Sequence, residues 1–158
     1  MDLITEIGNG DVLMLKRSRL VRLFLLDTVS HCALVLEKRY GKVVCEYTFN
    51  GYKETPLTTW LENNARYQTW VGKAPKSIKN RSLAILIAAR GLGHRNYSKW
   101  TGLMVWLRHV LGLQEHEYGM VCSTYVQKVW EEAGWAGSAG PMDPADFLEF
   151  SQCIFHVA

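Results

Sequence analysis

The chain has 158 residues, 48% of them hydrophobic and 21% charged, and a formal net charge of +3. A chain of this length buries a core without disulfide or metal staples, and so small a positive charge gives no ground for a nucleic-acid partner. With no repeat, low-complexity tract or break in composition, residues 1–158 read as a single domain.

The first residues, Met1-Asp2-Leu3-Ile4-Thr5-Glu6, carry acids where a signal peptide has a basic stretch and an apolar core, so a cytoplasmic location is expected. Gly10 to Met14 reads as a strand. Arg17 to Leu26 mixes three arginines with apolar residues and reads as a helix with a solvated basic face. Ser30-His31-Cys32-Ala33-Leu34-Val35-Leu36 reads as a second strand, and Val43-Val44-Cys45-Glu46 as a third, joined by a turn near Tyr40-Gly41. Short runs of strand type follow at Tyr67–Val71 and Ile154–Val157. Ala74-Pro75-Lys76-Ser77 is a turn, and the helix formers from Ser77 to Arg90 predict a largely buried helix capped by Ser77 and ended by Gly91. Trp100 to Leu113 is the most apolar stretch, yet at about fourteen residues, with Arg108 and His109 inside it, it is too short to span a membrane. From Val121 to Ala133 apolar residues recur at helical spacing, and Gly134 follows; this predicts a one-sided helix. Strands and helices together give an α+β class.

The four cysteines, Cys32, Cys45, Cys122 and Cys153, contain no C-x-x-C pair, and no histidine cluster completes a metal-ligand set. No metal and no cofactor are expected. Cys32, Cys45 and Cys153 read as small core hydrophobes. Cys122 differs because it opens the Val121–Ala133 helix. Unpaired backbone N–H groups and the positive end of the helix dipole there favour the thiolate, and the residue's own N–H is aimed to meet an oxyanion. His31, at the head of its strand, has the residue type needed to take the thiol proton and later return it to a leaving group.

The Gly-Asp strand at Gly10-Asp11, the Ser30-His31 strand, Val43-Val44-x-Glu46, Gly93 to Tyr97, the Cys122-Ser123 helix ending in Ala133-Gly134, and the late Asp146-Phe147-Leu148 segment stand in a distinctive order. Taken together, from Gly10 to about Leu148, they resemble the YiiX-like permuted papain-fold amidases. That group is related to the NlpC-type cell-wall peptidases and the lecithin retinol acyltransferase group. The resemblance implies a papain-like (NlpC-type) fold in circularly permuted order, histidine before cysteine, with an antiparallel sheet packed on helices.

It also implies a cysteine hydrolase that cleaves an amide or ester through an acyl-enzyme on Cys122, with His31 as general base, Glu46 as the residue that orients the ring, and Tyr97 near the oxyanion. The implied substrate is a peptide, a peptidoglycan fragment or a lipid-like amide. Lipid acyl transfer, for which Trp100–Leu113 is the best argument, and a non-catalytic binding domain are the alternatives. Turn geometry qualifies Glu46. With Tyr40-Gly41 as a two-residue turn, His31 falls opposite Asn50, and Glu46 opposite Val35, four residues or about 13 Å along the strand. Asn50 is then the rival orienter.

Overall fold

The computed structural model describes residues 3–16, 29, 31–48, 50–78, 81–92, 122–137, 140, 142–150 and 155–157. In chain order these form α1 (Leu3–Glu6), β1 (Val12–Leu15), β2 (His31–Lys38), β3 (Gly41–Thr48), β4 (Gly51–Pro56), α2 (Leu57–Asn64), β5 (Thr69–Gly72), α3 (Arg81–Leu92), α4 (Cys122–Glu132), α5 (Asp146–Phe150) and β6 (Phe155–Val157). The six strands make one sheet in the order β4-β3-β2-β1-β5-β6. Every neighbouring pair is antiparallel. The class is α+β.

Both faces of the sheet are covered, and this explains why β1 and residues Cys32 to Leu36 of β2 are apolar without alternation and buried throughout. On one face Val12, Met14, Cys32, Leu34 and Cys45 pack with Ile85, Ala89, Val126 and Trp130 of α3 and α4. On the other, Leu13, Leu15, Ala33, Val35 and Val44 pack with Leu57 and Trp60 of α2. Successive residues of a strand face opposite sides, so one run feeds two cores.

The helix α4 is tied to the segment just before β1 by a long-range bond. The indole N–H of Trp130 donates to the Gly10 carbonyl at 2.9 Å. Gly10 has φ of 84°, and a Cβ there would lie 2.1 Å from Ile85 Cδ1, so the backbone conformation and the close approach of α3 favour a glycine. Beside it, buried Asp11 pairs with Lys73 at 2.8 Å and accepts the N–H groups of Gly8 and Ala74 at 2.7 and 3.1 Å. The Gly-Asp element is thus a clamp between β1, β5 and the helical face. At its other end α4 stops as expected: Gly134 has φ of 101°, and Trp135 N–H reaches back to the Trp130 carbonyl at 2.9 Å.

Four expectations are corrected. The hairpin between β2 and β3 closes at Lys38↔Gly41, so the turn is Arg39-Tyr40 and not Tyr40-Gly41; Gly41, with φ of 124°, opens β3. The helix predicted from Ser77 begins at Arg81, because Ser77 belongs to the turn in which Ile78 N–H bonds the Pro75 carbonyl at 3.3 Å. Gly91 lies inside that helix, which continues to Leu92, whose buried side chain and whose carbonyl, held by the Tyr47 hydroxyl at 2.8 Å, secure the last turn. Nor is α3 buried all round: Leu83 and Ile87, four residues apart, are exposed. The segments Arg17–Leu26 and Trp100–Leu113 lie outside the described residues.

Candidate active site

His31 is the first residue of β2, paired with Leu15 of β1, and Cys122 is the first residue of α4. Because α4 packs on β2 and β3, the helix start meets the strand start. The His31 ring is hydrogen-bonded both to Cys122 and to Glu46. Its Nε2 lies 2.7 Å from Glu46 Oε2, with both side chains buried. The carboxylate fixes the tautomer and the ring plane.

The corrected hairpin explains how Glu46 arrives there. Leu34 pairs with Cys45, so one residue further Glu46 comes level with Ala33, two residues from His31 on the same strand. A diagonal neighbour at that offset is within reach of a long carboxylate side chain. A turn read one residue late had put Glu46 opposite Val35. Asn50 is exposed in the turn between β3 and β4, with its backbone N–H on the Thr48 hydroxyl at 3.2 Å, and it does not replace Glu46 at the ring.

The charges follow from these contacts. Burial alone would strip the proton from His31. The hydrogen bonds and negative charge of Cys122 and Glu46 outweigh it and push the ring up to about 9. Cys122 moves the other way: a hydrogen bond from the Cys32 thiol, followed by the hydrogen bond and charge of His31, overcomes burial and holds it well below the usual thiol range. The first turn of α4 contains no acidic residue to oppose this. Both shifts favour a thiolate on Cys122 and an imidazolium on His31.

Cys32 is the residue that sequence reasoning missed. It is fully buried, and its thiol is driven well up, first by burial and then by donating to the Cys122 sulfur and facing its charge. The available signal was slight: Cys32 adjoins His31 and, by strand alternation, points to the face that α4 covers. Tyr97 and Ser30 lie outside the described residues. A cavity of about 590 Å3, lined by Leu36, Arg39, Leu83, Ile87 and Arg90 among others, sits at the far end of β2 from His31.

Neither a family model nor a curated protein matches the chain. Among solved structures, a match is the crystal structure of the metalloprotein YiiX from Escherichia coli O157:H7, DUF1105, with a TM-score of 0.59 at 18% identity. The fold is similar to that of YiiX. The match covers 80% of this chain and 66% of the YiiX chain, so this chain spans about two thirds of that protein's length. At this identity the likeness to YiiX concerns the fold alone.

The donors at the site do not fit a metal ion. Nε2 of His31 and Oε2 of Glu46 are spent on each other, Cys122 is engaged by His31 and Cys32, and among the described residues no three His, Cys, Asp or Glu side chains are grouped to hold a metal. Among the described residues, too, no helix is long and apolar enough to cross a membrane.

Proposed function

We propose that the chain is a thiol hydrolase with a papain-like site in permuted order, acting on an amide or ester carbonyl. The observation that carries this reading is the His31 ring, hydrogen-bonded on one side to the helix-start thiol of Cys122 and on the other to the buried carboxylate of Glu46. In the first step Cys122 Sγ attacks the carbonyl carbon and the carbonyl electron pair moves onto oxygen. The Cys122 backbone N–H, which lies in the first helical turn and has no acceptor within the helix, meets that oxygen. His31 then protonates the leaving amine or alcohol as the carbonyl reforms, giving a thioester on Cys122. In the second half His31 takes a proton from water, the resulting hydroxide attacks the thioester, and the acid leaves as the thiolate is restored. Glu46 keeps the ring oriented through both halves. Tyr97 joins the oxyanion site in this proposal by resemblance alone, and the substrate class is a peptide, a peptidoglycan fragment or a lipid-like amide.

The test has two parts. Limited iodoacetamide at neutral pH should alkylate Cys122 well ahead of Cys32, Cys45 and Cys153, as read by mass spectrometry of the digest. An activated acyl ester, p-nitrophenyl acetate, should leave an acetyl group on Cys122 when the reaction is stopped in acid. His31→Ala should lose both the fast alkylation and the turnover of that ester while keeping its circular dichroism spectrum. Even labelling of the four thiols, with no acyl adduct, would make this a binding domain and not a hydrolase.

A further inference from the structure

The helix α3 carries an apolar stripe that the sheet does not cover. Leu83 and Ile87 are each 64% exposed, Leu86 is half-buried, and Arg90 follows on the same face at helical spacing. The stripe forms one wall of the cavity of about 590 Å3, and Leu36 of β2 and Tyr52 of β4 form another. Leu36 is about 17 Å along the strand from His31, so this space is separate from the Cys122 site.

The charges around the cavity are uneven. Lys38 is paired with Glu54, which also accepts the Tyr52 hydroxyl at 2.7 Å, so that cation is already answered. Glu37 borders the cavity, but strand alternation assigns its side chain to the face opposite Leu36 and Lys38. Arg90 of α3 and Arg39 of the β2–β3 turn remain. Both are exposed, and among the described residues neither has an ion-pair partner.

We propose that this cavity binds a carboxylic acid with a compact aromatic body, an arylalkanoate, whose carboxylate meets Arg90 with Arg39 as a second donor. The inference does not rest on the hydrolase reading, since neither Cys122 nor His31 lines the cavity. A guanidinium presents paired N–H donors in the plane a carboxylate accepts, and apolar walls beside it reduce the screening of that contact. Leu83 to Arg90 is about 10 Å along the helix axis. That distance sets the length between the ligand's apolar end and its charge. A volume of about 590 Å3 over so short a run is broad, and a ring fills it better than an unbranched chain. Tyr52 supplies an aromatic wall for the ring, and it is held in place by Tyr47 at 5.4 Å and Tyr125 at 5.8 Å. A second copy of the chain laid on this face with its own apolar stripe would desolvate both guanidinium groups without pairing them.

The experiment titrates the full chain with phenylbutyrate and follows the Leu, Ile and Val methyl signals by two-dimensional NMR. The expected result is a saturable shift centred on Leu36, Leu83, Leu86 and Ile87. Arg90→Gln should raise the dissociation constant about tenfold, and phenylbutanol, which lacks the charge, should bind the unmutated chain weaker by a similar factor. Arg90 is exposed, and methyl signals away from the cavity check that this variant keeps its fold. Octanoate, equally charged but unbranched, should also bind more weakly than phenylbutyrate. Equal affinity for the acid and the alcohol, equal affinity for octanoate, or an Arg90→Gln variant without effect would overturn the proposal. So would shifts centred on Val126, one turn from Cys122, which would make the acid a ligand of the hydrolytic site, or a dimer in sedimentation with no shift on adding the acid. These signals are read whether or not the ester of the preceding test is turned over, so the two readings fail separately.

Discussion

His31 answers to opposing forces. Burial favours the neutral ring, while the neighbouring Cys122 sulfur and Glu46 carboxylate favour the imidazolium, and the second influence wins, at about 9. This fixes the shape of a pH profile. For the hydrolysis proposed, turnover should rise with pH as Cys122 loses its proton, well below the ordinary thiol range, and fall near 9 as His31 loses the proton that the proposal has it give to the leaving group. The linked stability has the same upper edge: because the folded ring titrates above its unfolded value of 6.5, the contribution is complete below 6.5 and is lost as pH rises through about 9. Glu46→Gln keeps a hydrogen-bonding partner but removes the charge, so the upper limb should move down by about 1 unit. An unshifted limb, measured on any substrate turned over or on the His31 ring by NMR, would show that the carboxylate does not act on the imidazole. At this scale Cys122 and His31 were legible because each stands at the start of an element. Glu46 was legible only through resemblance, since a turn misplaced by one residue moves the facing position by two. Cys32 was not legible, because a thiol in an apolar strand looks like packing until the helix above it is in place.

The helix α4 holds its own first residue in position by contacts made elsewhere along its length. Trp130 is bonded to Gly10 and stacked edge-on to Phe147 at 5.2 Å, and Gln127 accepts from Met142 N–H at 2.8 Å while donating to the Gly140 carbonyl at 3.1 Å. Trp130→Phe would keep most of the ring contact and leave the buried Gly10 carbonyl without its indole donor. The expected loss is about 1–3 kcal/mol in urea unfolding at an unchanged slope. A variant as stable as the parent would mean that the indole bond is dispensable. Periodicity made α4 readable, and unbroken apolar runs did the same for β1 and β2. β4 and α2 escaped notice for a physical reason. β4 is an edge strand, Gly51-Tyr52-Lys53-Glu54-Thr55-Pro56, in which only Thr55 is buried and which ends in proline, and α2 buries only Leu57, Trp60 and Asn64.

For the whole molecule, the class could be read from the mixture of element types, but the strand order could not. β1 lies between β2 and β5 because the β2-β3-β4 meander runs outward on one side and the chain returns after α2 to pair β5 on the other. Local pattern does not specify that return; covering both faces of one sheet does. The arrangement also separates the site in sequence. His31 and Glu46 lie 15 residues apart on neighbouring strands, whereas the bond that seats α4 joins residues 120 apart.

That separation makes Cys122 a natural gauge of the folded population. The side chains that lower its proton affinity, Cys32 and His31, come from β2, far earlier in the chain, so a molecule in which α4 has come away loses them and has a slower thiol. For an all-or-none transition the initial rate of Cys122 alkylation should fall in urea with the same midpoint as the circular dichroism signal. If the rate fell at lower urea than the spectrum, α4 would be leaving the sheet before the rest unfolds. Coincident curves would let one chemical label count native molecules in a mixture where optical probes are blind.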